Sequence, residues 1–262
     1  MGAVGGVGRI REAAAWAGGY ATTAFEGLRR TWDVRSWWRE FVEQCLFLIK
    51  VTTTPVMLIA VPLGATISLQ VGQLTRQLGA ESLTGAGVIV GVVREAAPIA
   101  AALLIAGAGG SAMAADMGAR NIRDELAAME VMAVNPVHRL VTPRLWAATV
   151  IGVLLVSLVI VAGVTGGFLF NVILQGVSPG AYFQGSSSLL RLSDLVVSLL
   201  KAGLFGFCAA TVACHQGMTC TKSPAGVGLA VKQGVVLTIL IVFPLNFLIT
   251  SLYAVIAPQT LI

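Results

Sequence analysis

The residues in this sequence that could do chemistry are charged groups set against long apolar runs. Arg94 and Glu95 stand side by side, shortly before Pro98, within an apolar stretch. Ionisable side chains at that depth are costly in hydrocarbon, so they line a cavity, pair with one another or sit near an interface. As i,i+1 neighbours they leave a helix in different directions, so ion pairing requires partners on other helices. Two readings follow: a polar lining for a cavity, or a pair that snorkels to the headgroups. A second charged group, Asp124, Glu125 and Glu130, lies in a hydrophilic segment predicted as a helix over about 120–134. There Ile122, Leu126, Met129 and Ala133 are spaced as one apolar stripe, with Glu125 and Glu130 flanking it and Asp124 on the far side. An apolar ridge with acidic flanks fits a groove on a partner whose basic residues fix the register. It fits equally well a helix that lies on the membrane surface.

Other candidates carry less. Cys208, Cys214 and Cys220 lie six apart with His215 beside the second, whereas structural zinc sites favour tighter pairs. Reduced, packing cysteines are the reading, and no metal site is expected. The run from Gly107 to Ala112 imitates a phosphate-binding loop, but Ala112 replaces the last glycine and no strand precedes it. No GxxxxGK[ST], GxSxG or HExxH occurs, and His138 has no obvious carboxylate partner. No catalytic residue and no cofactor are expected in this chain, so any ATPase is a separate polypeptide.

The elements that position these groups are membrane spans. Hydrophobic residues make up 56% of the 262 and charged ones 11%, where a soluble domain carries about a quarter charged. Five apolar runs, at roughly 45–72, 88–112, 146–172, 194–214 and 233–257, each reach the ~20 residues that cross a bilayer core. The first contains Pro55 and Pro62 and is expected to kink. Gly163, Gly166, Gly167, Gly203 and Gly206 mark close helix contacts. Lys50 and Lys201, each near a predicted helix end, read as snorkelling residues. Arg and Lys collect before the first span, between the second and third, and between the fourth and fifth, while the other side has only Arg76 and Arg191. This asymmetry predicts a cytosolic N-terminus and an external C-terminus. The net charge of +5 thus belongs to one membrane face, and no nucleic-acid partner is expected. Residues 1–44 form a basic, tryptophan-rich N-terminal region without the apolar core of a signal peptide, and 45–262 the five-span domain. Within 36–45 one helix face is apolar and Arg39, Glu40 and Glu43 lie opposite. That pattern describes either a helix in the headgroup layer or one packed on the bundle.

The segment 94–146, from REAAP through GAGGSAMAADMGARNIRDELAAMEVMAVNP to PRLW, resembles the permease subunits of the MlaE/YrbE family almost position by position. Those are the membrane halves of ABC transporters that move lipids with MCE-domain proteins. The likeness covers most of the chain and is nearest the actinobacterial YrbE type. It implies an all-α polytopic membrane protein with an N-terminal interfacial helix, about five transmembrane helices and a cytosolic coupling helix. DELAAMEVMAVNP looks like the coupling helix seated in the ATPase, which assigns Ile122, Asp124, Glu125, Leu126, Met129 and Glu130 to coupling. Arg94 and Glu95 match the RExxP-type segment, and with Ser111 and Asp116 they are assigned to the polar lining of a substrate cavity. Many relatives read G-R-x-G-S-A where this chain has Ala108 in place of the arginine, and Asp116 stands where they often carry Glu. The implied partners are a second YrbE-type permease in a heterodimer, P-loop ATPase subunits that bind ATP and Mg, MCE-domain proteins, and a lipid such as a fatty acid or sterol. The implied setting is import across the inner membrane. Two other classes are a channel or secondary transporter working without ATP, for which no internal repeat or path of buried charges is found, and a membrane scaffold.

Overall fold

The computed structural model describes residues 18–29, 34–80, 83–174, 176, 178–180, 182 and 190–256. Residues 1–17 with Arg9 and Arg11, and Arg30 with 31–33, all in the basic N-terminal region, lie outside the described residues. Within a bilayer each backbone N–H and C=O must be paired inside the chain, and a helix does this segment by segment. Five helices are long and apolar enough to span: Trp37–Gln77, Thr84–Ile122, Val137–Ile173, Leu192–Thr219 and Pro224–Ile256. They coincide with the five apolar runs of the sequence, and the protein is an all-α, multi-pass membrane protein.

In chain order, α1 covers residues 18–29 and α2 covers Val34–Gln77. The second span comprises α3 (Thr84–Gly91), α4 (Ala97–Leu104) and α5 (Ser111–Ile122), joined by widened π turns at Val92–Ala96 and Ile105–Gly110. The loop helix α6 is Glu125–Val131. The remaining spans are α7 (Thr142–Leu169), α8 (Leu192–Thr219) and α9 (Pro224–Ile256).

The amphipathic segment at 36–45 is not a separate helix. It forms the first turns of α2, which continues unbroken past Pro55 and Pro62. A helix of 44 residues is about 66 Å long at 1.5 Å per residue, about twice a bilayer core, so its first turns extend beyond the hydrocarbon. There Trp37 is buried against the edge of Phe41 while Trp38 is exposed and stacks on the same ring. Helix α1 lies on the bundle: Thr23 Oγ1 shares a 3.0 Å hydrogen bond with His215 Nδ1 on α8. The Tyr20 ring lies tilted at 55° against the same histidine, 4.4 Å between ring centres, and burial pushes its phenol up to about 12.

The bundle centres on α7, which packs against α2 on one side and α8 on the other, with α8 also contacting α5 and α9. In the most apolar windows of the first and last spans only 22% and 17% of residues are buried, against 50–56% in the other three. These two helices therefore present their apolar sides to lipid or a partner. Small residues set the central contacts: a Cβ on Gly64 would overlap the Gly163 carbonyl, and one on Gly206 the Ala148 carbonyl. Backbone cannot yield as a side chain can, so Gly64→Val or Gly206→Val is expected to cost at the upper end of the ~1–3 kcal/mol typical of overpacking. Thermal unfolding in detergent measures this, with Gly107→Ala, which meets nothing within 4 Å, as the near-neutral control.

Candidate functional site

At the end of the bundle that holds Thr84, Leu192 and Ile256, charged side chains from two spans and polar ones from a third form one network. Arg94 donates to Asp194 at 2.9 Å. Asp194 also accepts from Tyr253 Oη at 2.7 Å and from the Arg191 backbone at 3.0 Å, which caps α8. Glu95 accepts from Asn246 at 2.8 Å, from Thr250 at 2.9 Å, and from Lys201 at 3.3 Å. The partners of Arg94 and Glu95 thus lie on α8 and α9, as expected for adjacent residues of one helix.

Backbone chemistry explains the position of Lys201. Pro98 has no N–H, so the Arg94 carbonyl one turn earlier loses its helical donor. In hydrocarbon that acceptor needs another donor. Lys201 Nζ supplies it at 3.1 Å, while also bonding Thr250 Oγ1 at 2.7 Å. The π turn at Val92–Ala96, where the Ala97 N–H reaches back to Val92, widens the helix at the same place. Such bulges recur at functional sites. The expectation that Lys201 snorkels is corrected: it is 3% exposed and bound on three sides. Lys50 is exposed on α2. A cavity of about 400 Å³ opens on this network, lined by Arg94, Glu95, Asp194, Lys201, Thr250 and Tyr253 among others. Sequence reasoning missed Asp194, Asn246, Thr250 and Tyr253; the last three recur at helical spacing on α9 and are the signal that was available.

The four residues expected to line one substrate cavity do not come together. Arg94 and Glu95 line the cavity just described, whereas Asp116 lies 22 residues further along the same span, about 33 Å by helical rise. Ser111 lines neither this cavity nor the small one at Asp116. Asp116 binds Arg120 at 3.2 Å and the fully buried Arg144 at 2.5 Å. Arg144 also donates to the Leu140 carbonyl at 2.8 Å and lies 3.8 Å from Glu40. This second network ties the start of α7 to the end of the second span and to α2.

The loop helix is shorter than expected and aimed differently. Asp124 adopts a left-handed conformation, φ 57°, so α5 ends at Ile122 and α6 begins at Glu125. Ile122 therefore belongs to the span, and the stripe drawn through Ile122, Leu126, Met129 and Ala133 is broken. Asn121 fixes the break by donating to the Met218 and Cys220 carbonyls at the end of α8. Leu126 and Met129 pack against the chain's own core. The exposed apolar residues of α6 and its exit are instead Val131 and Met132, 88% and 66% exposed. A left-handed Ala133 closes α6, with the Val134 N–H bonded to the Met129 carbonyl. Asn135 Oδ1 then caps the next helix by accepting from the Val137 and His138 N–H groups. Of the acidic residues, Asp124 meets Lys222, Glu125 meets Arg120 and Arg123, and Glu130 is exposed. Cys45, Cys208, Cys214 and Cys220 are free thiols, and no group of His, Cys, Asp and Glu suited to a metal occurs among the described residues.

Residues 41–252 match the family model Permease MlaE. Over 190 residues the chain is 31% identical to a probable ABC transporter permease protein of Rickettsia felis, covering 72% of this chain and 73% of that protein. Over 191 residues it is 31% identical to the intermembrane phospholipid transport system permease protein MlaE of Haemophilus influenzae, with the same coverage. The matched region holds α6 and nearly all of both ion networks. With that match laid over five spans and a helix hung between the second and third, the chain is a membrane permease and belongs to the MlaE family.

Proposed function

We propose that this chain is the membrane subunit of an ATP-driven lipid transporter, with ATP and Mg bound by a separate P-loop ATPase. The observation that carries this reading is α6, seven residues set off by left-handed residues at both ends, seated on the bundle through Leu126 and Met129 with Val131 and Met132 bare. An apolar tip outside the hydrocarbon is unfavourable unless a protein or the headgroup layer covers it, and the permease family match favours the protein. The basic residues Arg120, Arg123, Arg139 and Lys222 near that end support a cytosolic side for it, with the Arg94–Glu95 network in the outer half of the membrane. A phospholipid is named for the Haemophilus protein; here the reading is a lipid in the wider sense, a fatty acid, sterol, phospholipid or related molecule. The cavity of about 400 Å³ suits a polar head, while the acyl or sterol body needs apolar surface from elsewhere. The bare sides of α2 and α9 supply it when a second permease stands alongside, most simply a similar chain in a heterodimer. MCE-domain proteins on the outer face would deliver lipid for import.

The test is direct. Val131→Asp with Met132→Asp buries two charges in the ATPase contact without touching the bundle core. Losses at buried contact residues reach ~2 kcal/mol or more, so ATPase recovered with the affinity-purified permease is expected to fall more than about tenfold. Undiminished recovery would overturn the docking assignment.

A further inference from the structure

At the loop end, the carboxylates are not equivalent. Asp116 is held by Arg120 and Arg144, Asp124 by Lys222, and Glu125 by Arg120 and Arg123. The carboxylates of Glu26 on α1 and Glu130 on α6 have no ion pair or hydrogen bond among the described residues, although both residues line the same open groove of about 580 Å³. Leu126, Val134 and Met218 give that groove apolar walls, and its rim continues to the bare Val131 and Met132. Two like charges in one groove repel, and a cation placed between them removes the repulsion. The sign of the charge also selects the occupant. Anionic headgroups are repelled by this pair, so the groove is not made for the membrane surface. A protein that presents a lysine or arginine among apolar side chains matches both its charge and its walls.

We propose that the seat of the ATPase has two walls, α6 and α1, and that a basic side chain of the ATPase enters between Glu130 and Glu26. This rests on the reading of α6 as the ATPase-docking helix and assigns the partner's chemistry and the second element gripped. Residues 18–29 lie outside the region matched by the family model, so the second wall comes from beyond that match. Its consequence is mechanical. Helix α1 is fixed to α8 through Thr23 and His215, and its Gly27 lies against Leu145 of α7, where a Cβ would overlap the leucine side chain. An ATPase gripping both walls therefore holds α7 and α8 as well as the second span.

The experiment is recovery of the ATPase with the full-length, affinity-purified permease complex, compared among wild type, Glu26→Lys, Glu130→Lys and Val131→Asp/Met132→Asp. Each permease variant is first checked for membrane insertion and monodispersity in detergent. Either charge reversal is expected to lower ATPase recovery severalfold at low salt. Glu26→Gln/Glu130→Gln, which avoids new positive charge, is expected to flatten the loss of ATPase that wild type shows as NaCl rises. If the apolar variant releases the ATPase and both charge reversals retain it, α6 docking stands and the acidic groove is overturned. If only Glu130→Lys has an effect, the seat is confined to α6 and α1 is not a wall. Retention in all variants would overturn the docking reading together with this one. Should a Lys variant fail to insert, the Gln pair decides: a salt slope identical to wild type overturns the proposal.

Discussion

Asp116→Ala will destabilise this protein by about 3–5 kcal/mol, the cost of leaving a buried charge without its partner. The stranded group is Arg144, whose side chain is 0% exposed and whose main carboxylate partner is Asp116 at 2.5 Å. Glu40, at 3.8 Å, is too distant to replace a direct bond. The Leu140 carbonyl, which also accepts from Arg144, carries no charge. Asp116 itself is 42% exposed, so water compensates the carboxylate far better than the guanidinium, and the damage is asymmetric. Arg144→Leu, which removes the buried charge and fills its space with apolar atoms, is therefore expected to cost clearly less than Asp116→Ala. Asp116→Glu keeps the charge and should be tolerated. Thermal unfolding of the three variants in one detergent gives the order; an Arg144→Leu variant less stable than Asp116→Ala would contradict it.

The second large effect is at Lys201. Lys201→Met removes the donor that replaces the missing N–H of Pro98, depriving the Arg94 carbonyl of that bond at a cost of ~1–3 kcal/mol, and also unties Glu95 and Thr250. In a Pro98→Ala background the helix regains an N–H for that carbonyl, so Lys201→Met should cost less there. A double-mutant cycle is expected to show a coupling of about 1–2 kcal/mol between Lys201 and Pro98, side chains on different helices. Strict additivity would mean that Lys201 serves Glu95 alone.

These two residues also mark where the sequence stopped being legible. The five spans were readable because twenty consecutive apolar residues mean one thing in a bilayer. The close-packing role of Gly166 and Gly206 was readable because small residues on spans have few other uses. Lys201 was misread as a snorkelling residue because its depth along its own helix is visible in sequence, while the carbonyl it serves is over a hundred positions away. The same holds for Asp194, whose partner Arg94 is just as distant in the chain. The loop helix failed for a local reason. A left-handed residue usually announces itself as glycine, but here Asp124 and Ala133 adopt that conformation, the first beside Asn121, which bonds across to α8. The periodic stripe ran straight across a break that no residue type signalled. Grouping Arg94 with Asp116 failed because sequence proximity to one span says nothing about which end of it a cavity opens on.

The central claim, that this permease works under a separate ATPase on a lipid, is tested most directly by affinity purification from its native membrane with mass spectrometry of proteins and bound lipids. The account predicts recovery of a P-loop ATPase, a second permease and MCE-domain proteins, with lipid in the preparation, and loss of the ATPase alone when Val131 and Met132 are changed to Asp. A stable chain recovered by itself, with neither ATPase nor lipid, would contradict it and favour a channel or scaffold.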